Sequence, residues 1–246
     1  MTLHHTAPLG ALLALGGAIL ILVTRQGTLS GALAGFAVAL LAALGLGAGA
    51  LLPLAIFVLG SGLLTRIGRA RKERLGAAEG NRGRRGPAHV AAKLSLPALA
   101  ALGAILGLAP VPALALIYVA SLAGAFADTA ATEIGPLFEG PALKLRGGRL
   151  VASPHGTPGA MSLAGLEVAG LASLAVALGA LAVGLLGTTV AVSIVTVAGL
   201  LACALESLLA GTTLGARAGH FGRNVILSLA SALLALSARA LGWTGS

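Results

Sequence analysis

Three of the seven acidic residues of this chain lie between positions 124 and 160, beside long apolar runs; they are Asp128, Glu133 and Glu139. The same stretch holds three basic residues and the sequence Gly-Thr-Pro-Gly at 156–159. Charged groups beside membrane helices are costly unless they are paired or solvated, so this cluster indicates a functional site. A solvated connecting loop is the alternative. The recurrence of acids, glycines and bases together favours the site.

An acidic motif, DTAATEIGP, begins at Asp128. On a helix, Asp128 shares a face with Thr132, and Thr129 shares a face with Glu133. The two carboxylates would project about 140° apart, and the Gly-Pro at the end of the motif predicts the end of the helix. Mg²⁺ prefers one or two carboxylates together with substrate phosphates, so the acids predict a magnesium site. Glu206, in a later apolar run, is a candidate third carboxylate.

A glycine-rich turn precedes a later apolar run. Backbone N–H groups of Gly156, Thr157 and Gly159, with the positive end of the helix that follows, predict an anion site suited to phosphate. Just upstream, alternating Leu and basic residues around a Gly-Gly pair predict a short β-hairpin in the 140–152 loop. Its three cations could instead be ordinary interfacial charge.

Residues 65–88 form a basic segment that divides into two halves. The first half, Arg69 to Arg74, is predicted to be a short amphipathic helix. The second half, GNRGRRG, places Arg82, Arg84 and Arg85 among glycines, and the planar guanidinium group suits phosphate binding. Attraction to anionic lipid is the alternative explanation of this charge.

The composition predicts an all-α polytopic membrane protein. Of the 246 residues, 57% are hydrophobic and 9% are charged, and the mean hydropathy is +1.01. Apolar runs of about 18 residues or more predict transmembrane helices. The lone Cys203 excludes an internal disulfide framework. We predict a single integral membrane domain over 1–246 with about eight spans, at Pro8–Val23, Thr28–Leu46, Ala50–Leu64, Ala88–Leu108, Pro112–Ala127, Met161–Leu186, Thr188–Leu209 and Asn224–Leu241.

The distribution of basic residues predicts the orientation. With the N-terminus outside, 14 of the 16 basic residues fall on the cytoplasmic side, as the positive-inside rule requires. This predicts a bacterial inner-membrane protein with both termini outside and the 65–88 and 128–160 loops facing the cytoplasm at one active site. The basic charge lies in short loops, so a nucleic-acid partner is excluded. Within the apolar runs, Lys93 and Glu167 are expected to neutralise one another.

The motifs ADTAATEIGP, GTPGAMSLAG, ESLLAGTT and GRNVILSLAS resemble, in this order, the membrane family of phytyl-phosphate kinase and transmembrane-protein-19-like proteins. That family is distantly similar to dolichol kinase and CDP-diacylglycerol synthase. Pro158 and Lys93 stand where the family has asparagine. Further upstream the resemblance extends to Thr65, Gly68, Lys72, Gly83, Arg84, Arg85 and Val90.

The resemblance implies transfer of a phosphoryl group from CTP to a prenyl monophosphate, phytyl or geranylgeranyl phosphate, to give the prenyl diphosphate. A cytidylyltransferase and a small-anion or lipid transporter are the alternatives. Mg²⁺ is the implied cofactor, membrane lipid surrounds the protein, and a homodimer is possible. The site residues would be Asp128, Glu133 and Lys72 as catalytic groups; Asp128, Glu133 and Glu206 on the metal; and Arg82, Arg84, Arg85, Gly156, Thr157, Gly159, Thr129, Thr132 and Asn224 on the nucleotide and its phosphates.

Overall fold

The protein is a helical membrane bundle in a computed structural model that describes residues 7–76, 84–146 and 149–242. Seven of the described helices are long and apolar enough to cross a bilayer, and a shorter apolar helix precedes them. That first helix has 17 residues and is about 26 Å long, at the lower limit for a span. The helices are α1 (Ala7–Val23), α2 (Leu29–Leu46), α3 (Leu51–Arg66), α4 (Arg69–Arg74), α5 (Pro87–Ile105), α6 (Val111–Ile134), α7 (Leu163–Ala182), α8 (Thr189–Ala210) and α9 (Thr213–Ala240).

Helix α6 is the centre of the bundle. It packs against α3, α5, α7, α8 and α9, and 17 of its 24 residues are buried. Its alanines and glycines let neighbouring backbones approach closely, as is typical of membrane helices. Two hydroxyl groups donate to backbone carbonyls along this helix: Tyr118 of α6 donates to Ala50 O at 2.9 Å, and Ser231 of α9 donates to Ala120 O of α6 at 2.6 Å. Helix α6 is therefore the helix around which the others are arranged.

One end of the bundle brings together several helix termini; we call it the pocket end. Here Thr28 N–H, before α2, donates to Arg85 O at 3.1 Å, and Arg85 N–H donates to Gln26 O at 3.0 Å. The C-termini of α3 and α6 meet at the same end, where the Thr65 hydroxyl donates to Glu133 Oε1 at 2.8 Å. Helix α4 follows α3 there, as the sequence predicted.

A three-stranded antiparallel sheet lies between α6 and α7. Strands β1 (Ala142–Arg146) and β2 (Arg149–Ser153) pair with Arg146 opposite Arg149, which confirms the predicted hairpin. Its Gly147-Gly148 turn lies outside the described residues. The sequence missed β3 (Ala160–Met161), which pairs with the other edge of β1 so that Lys144 faces Ala160. This strand fixes the end of the glycine-rich turn.

Parts of two predicted loops are helical. Helix α6 continues to Ile134, so Asp128 and Glu133 belong to it and not to the 128–160 loop. The Gly-Pro at 135–136 does end the helix, as expected. Helix α9 begins at Thr213 instead of Asn224, with a break at Gly219, where φ is 65° and ψ is −176°. The expected basic loop around Arg217 is therefore two helical segments that meet at a kink.

Candidate functional site

A pocket of about 320 Å³ opens at the pocket end. This volume lies at the lower end of the range for ligand pockets. It is bounded by the end of α6, the start of α5, the turn before α7, and the region where α8 passes into α9. Its ionisable lining side chains are Arg85, His89, Lys93, Asp128, Glu133, His155, Cys203, Glu206, His220 and Arg223.

Asp128 forms an ion pair with Lys93 across the α5–α6 interface. Lys93 Nζ lies 2.8 Å from Asp128 Oδ2 and donates to Thr129 Oγ1 at 2.8 Å. The Lys93 side chain is 5% exposed and that of Asp128 is 16% exposed, so the carboxylate still reaches the pocket. The expected partnership of Lys93 with Glu167 is wrong, because α5 packs on α6 while Glu167 is exposed on α7.

Glu133, five residues further along α6, belongs to a buried cluster. Lys72 Nζ contacts Glu133 Oε2 at 2.5 Å and donates to the carbonyls of Leu64 and Thr65 at 3.0 Å each. The lysine therefore does two things at once. It caps the last turn of α3, and it neutralises the Glu133 carboxylate near the end of α6. Its side chain is 1% exposed, and it is not among the residues that line the pocket. The structure thus does not place Lys72 where the predicted catalytic role requires it.

The third pair joins α8 to α9. Arg223 Nε lies 2.9 Å from Glu206 Oε1, and Glu206 and Asp128 both line the pocket. Like charges raise each other's energy unless a cation lies near both. Lys93, on α5, and Arg223, on α9, supply that compensation.

The glycine-rich turn forms another wall of the pocket. Gly156 and Gly159 both have φ of 83°, a left-handed conformation that favours glycine. A side chain on Gly159 would also meet Gly211 N at 2.6 Å, so the turn packs directly on the end of α8. Thr157 N–H donates to Pro154 O at 3.2 Å. That amide is used by the turn itself, and the predicted phosphate contact from Thr157 N–H does not fit.

Three of the residues that line the pocket are histidines, and the sequence did not single them out as site residues. The rings of His89 and His220 have centroids 6.1 Å apart, and His155 Nε2 lies 3.1 Å from Gly140 O, which ties the turn to the hairpin. The sequence does contain a pattern that could have indicated His89: it precedes Lys93 by four residues and therefore shares its helix face. His220 precedes Asn224 in the same way.

The remaining predicted residues divide between the pocket and its supports. Thr129, Thr132 and Arg85 line the pocket, and the Thr132 hydroxyl donates to Asp128 O at 2.8 Å. Asn224 is buried, does not line the pocket, and donates from its amide to His220 O at 2.8 Å. Arg84 donates to Gly27 O at 3.3 Å. Arg82 lies outside the described residues, and Glu139 is exposed outside the pocket.

The pocket suits a metal ion only in company with phosphate. Among the described residues, no three acidic, histidine or cysteine side chains come together as a metal site, so the predicted set of Asp128, Glu133 and Glu206 is not assembled. Asp128 and Glu206 each use one oxygen in their ion pairs, and a carboxylate has further lone pairs. One or two carboxylates plus phosphate oxygens is the ligand set that Mg²⁺ prefers.

Comparison with known proteins identifies the family. Residues 12–234 match the model of the integral membrane protein family DUF92. An uncharacterized membrane protein of Synechocystis sp., sll0875, is 38% identical over 165 residues, which cover 67% of this chain and 62% of that protein's length. No solved structure matches. The chain belongs to the DUF92 family of integral membrane proteins.

Proposed function

We propose that this DUF92 protein transfers the γ-phosphoryl group of CTP to a prenyl monophosphate, phytyl or geranylgeranyl phosphate. One observation carries the proposal: the acid-bearing end of α6 and the Gly-Thr-Pro-Gly turn line one pocket, although about thirty residues separate them. A carboxylate that can share a metal with phosphate, in one pocket with a turn suited to phosphate, is what nucleotide-dependent transfer needs. The resemblance to prenyl-phosphate kinases agrees with it.

In this reaction a phosphate oxygen of the prenyl monophosphate attacks the γ-phosphorus of CTP. The new P–O bond forms while the bond from γ-phosphorus to the β,γ-bridging oxygen breaks, and CDP leaves with that oxygen. The acceptor is already an anion, so a strong general base is not required. The protein's task is to hold two phosphates in line and to offset their charge.

The proposed roles follow the position of each side chain. Lys93 and Arg85 line the α5 wall and would neutralise the acceptor phosphate. Arg223, on the α9 wall, would face the triphosphate together with the backbone of Gly156 and Gly159. Such donors act strongly because they are fixed before the substrate arrives.

Charge balance in the pocket favours a bound cation that arrives with the nucleotide. The three carboxylates, Asp128, Glu133 and Glu206, are matched by Lys72, Lys93 and Arg223. Internal pairing thus leaves little net charge to offset a triphosphate. Asp128 and Glu206 would hold the magnesium ion, which polarises phosphoryl oxygens when bound. Glu133 and Lys72 are assigned to holding α3, α4 and α6 together.

The proposed orientation places the pocket end in the cytoplasm, where nucleotide is available. Arg66, which donates to Thr24 O, and the α4 cations lie at this end. The positive-inside rule favours the cytoplasmic side for such a concentration of basic side chains.

The test is a lipid-product assay with purified protein, Mg²⁺, phytyl phosphate and each of the four nucleoside triphosphates in turn. We expect prenyl diphosphate and CDP in equal amounts, with CTP the best donor. Release of pyrophosphate with a cytidylylated lipid would identify a cytidylyltransferase instead. Nucleotide-independent movement of the lipid phosphate in sealed vesicles, without any new product, would identify a transporter.

A further inference from the structure

A second, smaller cavity adjoins the pocket. It lies between α1, α2, α3 and α5 and has a volume of about 50 Å³. That space holds about four water-sized or methylene-sized groups. Its walls are predominantly apolar, formed largely by Ile21, Gly31, Gly35, Phe57, Val58 and Leu94, and Gln26 adds a polar side chain to the lining. A water molecule needs several polar partners, so a space with such walls suits hydrocarbon better.

The two cavities share one wall. Arg85, His89 and Lys93, on and just before the first turns of α5, line both of them. Basic groups therefore stand at the junction, the polar pocket lies on one side of them, and the apolar cavity lies on the other. A ligand that occupies both spaces must carry its anionic group directly beside its hydrocarbon.

We propose that the small cavity holds the first isoprene unit of a single-chain lipid monophosphate whose phosphate lies at Arg85 and Lys93; this inference rests on the proposed function. An isoprene unit has four carbons in line and one methyl branch, which is close to the number of groups that the space holds. A diacyl phosphatidate fits poorly, because its glycerol and ester groups separate the phosphate from the chains. Burying those polar groups among apolar walls without partners is unfavourable.

The arrangement of the helices gives the chain a way out to the bilayer. Helix α2 packs mainly on α5 and α1, whereas α3 packs mainly on α6 and α7, so α2 and α3 contact each other little. Gly35 and Val58, which face the cavity from these two helices, are only half-buried. The rest of a prenyl chain would leave between α2 and α3.

Gly35 is the position at which the cavity can be filled with least disturbance. Nothing lies within 4 Å of a Cβ built on it, whereas a Cβ on Gly31 would overlap the Arg85 carbonyl. A leucine at 35 would occupy the space proposed for the first isoprene unit. Gly17, exposed on α1 and also without neighbours within 4 Å of a Cβ, provides the matched control.

The experiment measures binding without nucleotide, so it is independent of turnover. Radiolabelled farnesyl phosphate is titrated onto the purified full chain in detergent, and inorganic phosphate, dodecyl phosphate and phosphatidate compete. For Gly35→Leu we expect farnesyl phosphate to bind at least tenfold more weakly, with inorganic phosphate competing as in the wild type. Gly35→Ala should give an intermediate loss, and Gly17→Leu none. Phosphatidate should compete at least tenfold less well than dodecyl phosphate.

Several results would overturn the inference. These are wild-type affinity in Gly35→Leu with an unchanged unfolding temperature, an equal loss in Gly17→Leu, equal competition by phosphatidate, or no binding of farnesyl phosphate to the wild type. If Gly35→Leu does not fold, Gly35→Ala decides by the same criteria. Selective binding without any diphosphate product would reject the proposed kinase function and keep the cavity assignment.

Discussion

Two lysine–carboxylate pairs hold α6 to its neighbours, and they differ in what else they can reach. Lys93–Asp128 and Lys72–Glu133 use the same residue types, with acids five positions apart on one helix. The Asp128 side chain keeps 16% of its surface exposed, whereas Glu133 keeps 6% and also accepts a hydrogen bond from Thr65. Five residues turn a helix by about 140°, so the two acids have different partners. Both line the pocket, but Glu133 is held in the buried cluster at the α3–α4 junction.

The comparison separates a pair that stabilises the fold, Lys72–Glu133, from a pair that can contact a ligand, Lys93–Asp128. Lys72 has two carbonyls and a carboxylate as partners and is 1% exposed, so its charge is used within the fold. Lys93 and Asp128 keep a surface in the pocket, where a phosphate or metal can join them. An acid and a lysine near a predicted phosphate site are therefore insufficient grounds for a catalytic role. A catalytic role also requires that the pair keep exposed surface in the pocket, where it can reach a ligand.

The largest expected effect on stability comes from breaking the buried pair. Lys72→Met should lower the free energy of unfolding by about 3–5 kcal/mol, because it leaves Glu133 buried without its cation. The double variant Lys72→Met with Glu133→Gln should recover part of the loss, since no unpaired charge remains. Thermal unfolding in detergent measures both. Equal unfolding temperatures of Lys72→Met and the wild type would contradict the assignment of this pair to the fold.

A smaller effect is expected in the glycine-rich turn. Gly159→Ala should reduce stability by about 1–3 kcal/mol, since φ of 83° is strained for alanine and its methyl group would press on Gly211. Turnover should also fall in the protein that remains folded, because the turn forms a pocket wall. Gly76→Ala, with φ of 66° but nothing within 4 Å of a Cβ, separates the strain from the contact. If both variants lose turnover equally, the loss does not depend on the position of the turn in the pocket wall, and the proposed role of the turn is wrong.

The smallest effect is expected at the third acid of the 124–160 stretch. Glu139→Gln should change the free energy of unfolding by less than about 0.5 kcal/mol and leave turnover unaltered, because the side chain is exposed outside the pocket. The same unfolding and product assays apply. A severe loss of turnover would mean that the site extends beyond the described pocket to the hairpin.

The sequence predicted the elements that local pattern determines. Apolar runs predicted the spans, and alternation around Gly-Gly predicted the β1–β2 hairpin. It failed where distant residues decide the outcome. The predicted span ended at Ala127, yet the helix continues to Ile134, and Lys93 and Lys72, 35 and 61 positions before their respective partners, neutralise the acids of this extension. No spacing rule in one sequence reveals such pairs.

The candidate site was predictable in outline, because residue types and local pattern indicate which residues can bind phosphate and metal. The acids, the glycine-rich turn and Arg85 do line one pocket, and their residue types were enough to select them. The exclusion of Lys72 and Asn224 depends on which way each helix faces. That direction comes from packing around α6, which the uniform alanines and glycines of the sequence do not specify.

The most direct measurement compares Asp128→Asn with the wild type in the formation of prenyl diphosphate from CTP and phytyl phosphate, at equal amounts of folded protein. Asparagine keeps the size of the side chain and removes its charge. The account predicts a loss of at least about a hundredfold in rate, with an unfolding temperature far closer to the wild type than that of Lys72→Met. A rate within threefold of the wild type would contradict the assignment of the reaction to this side of α6.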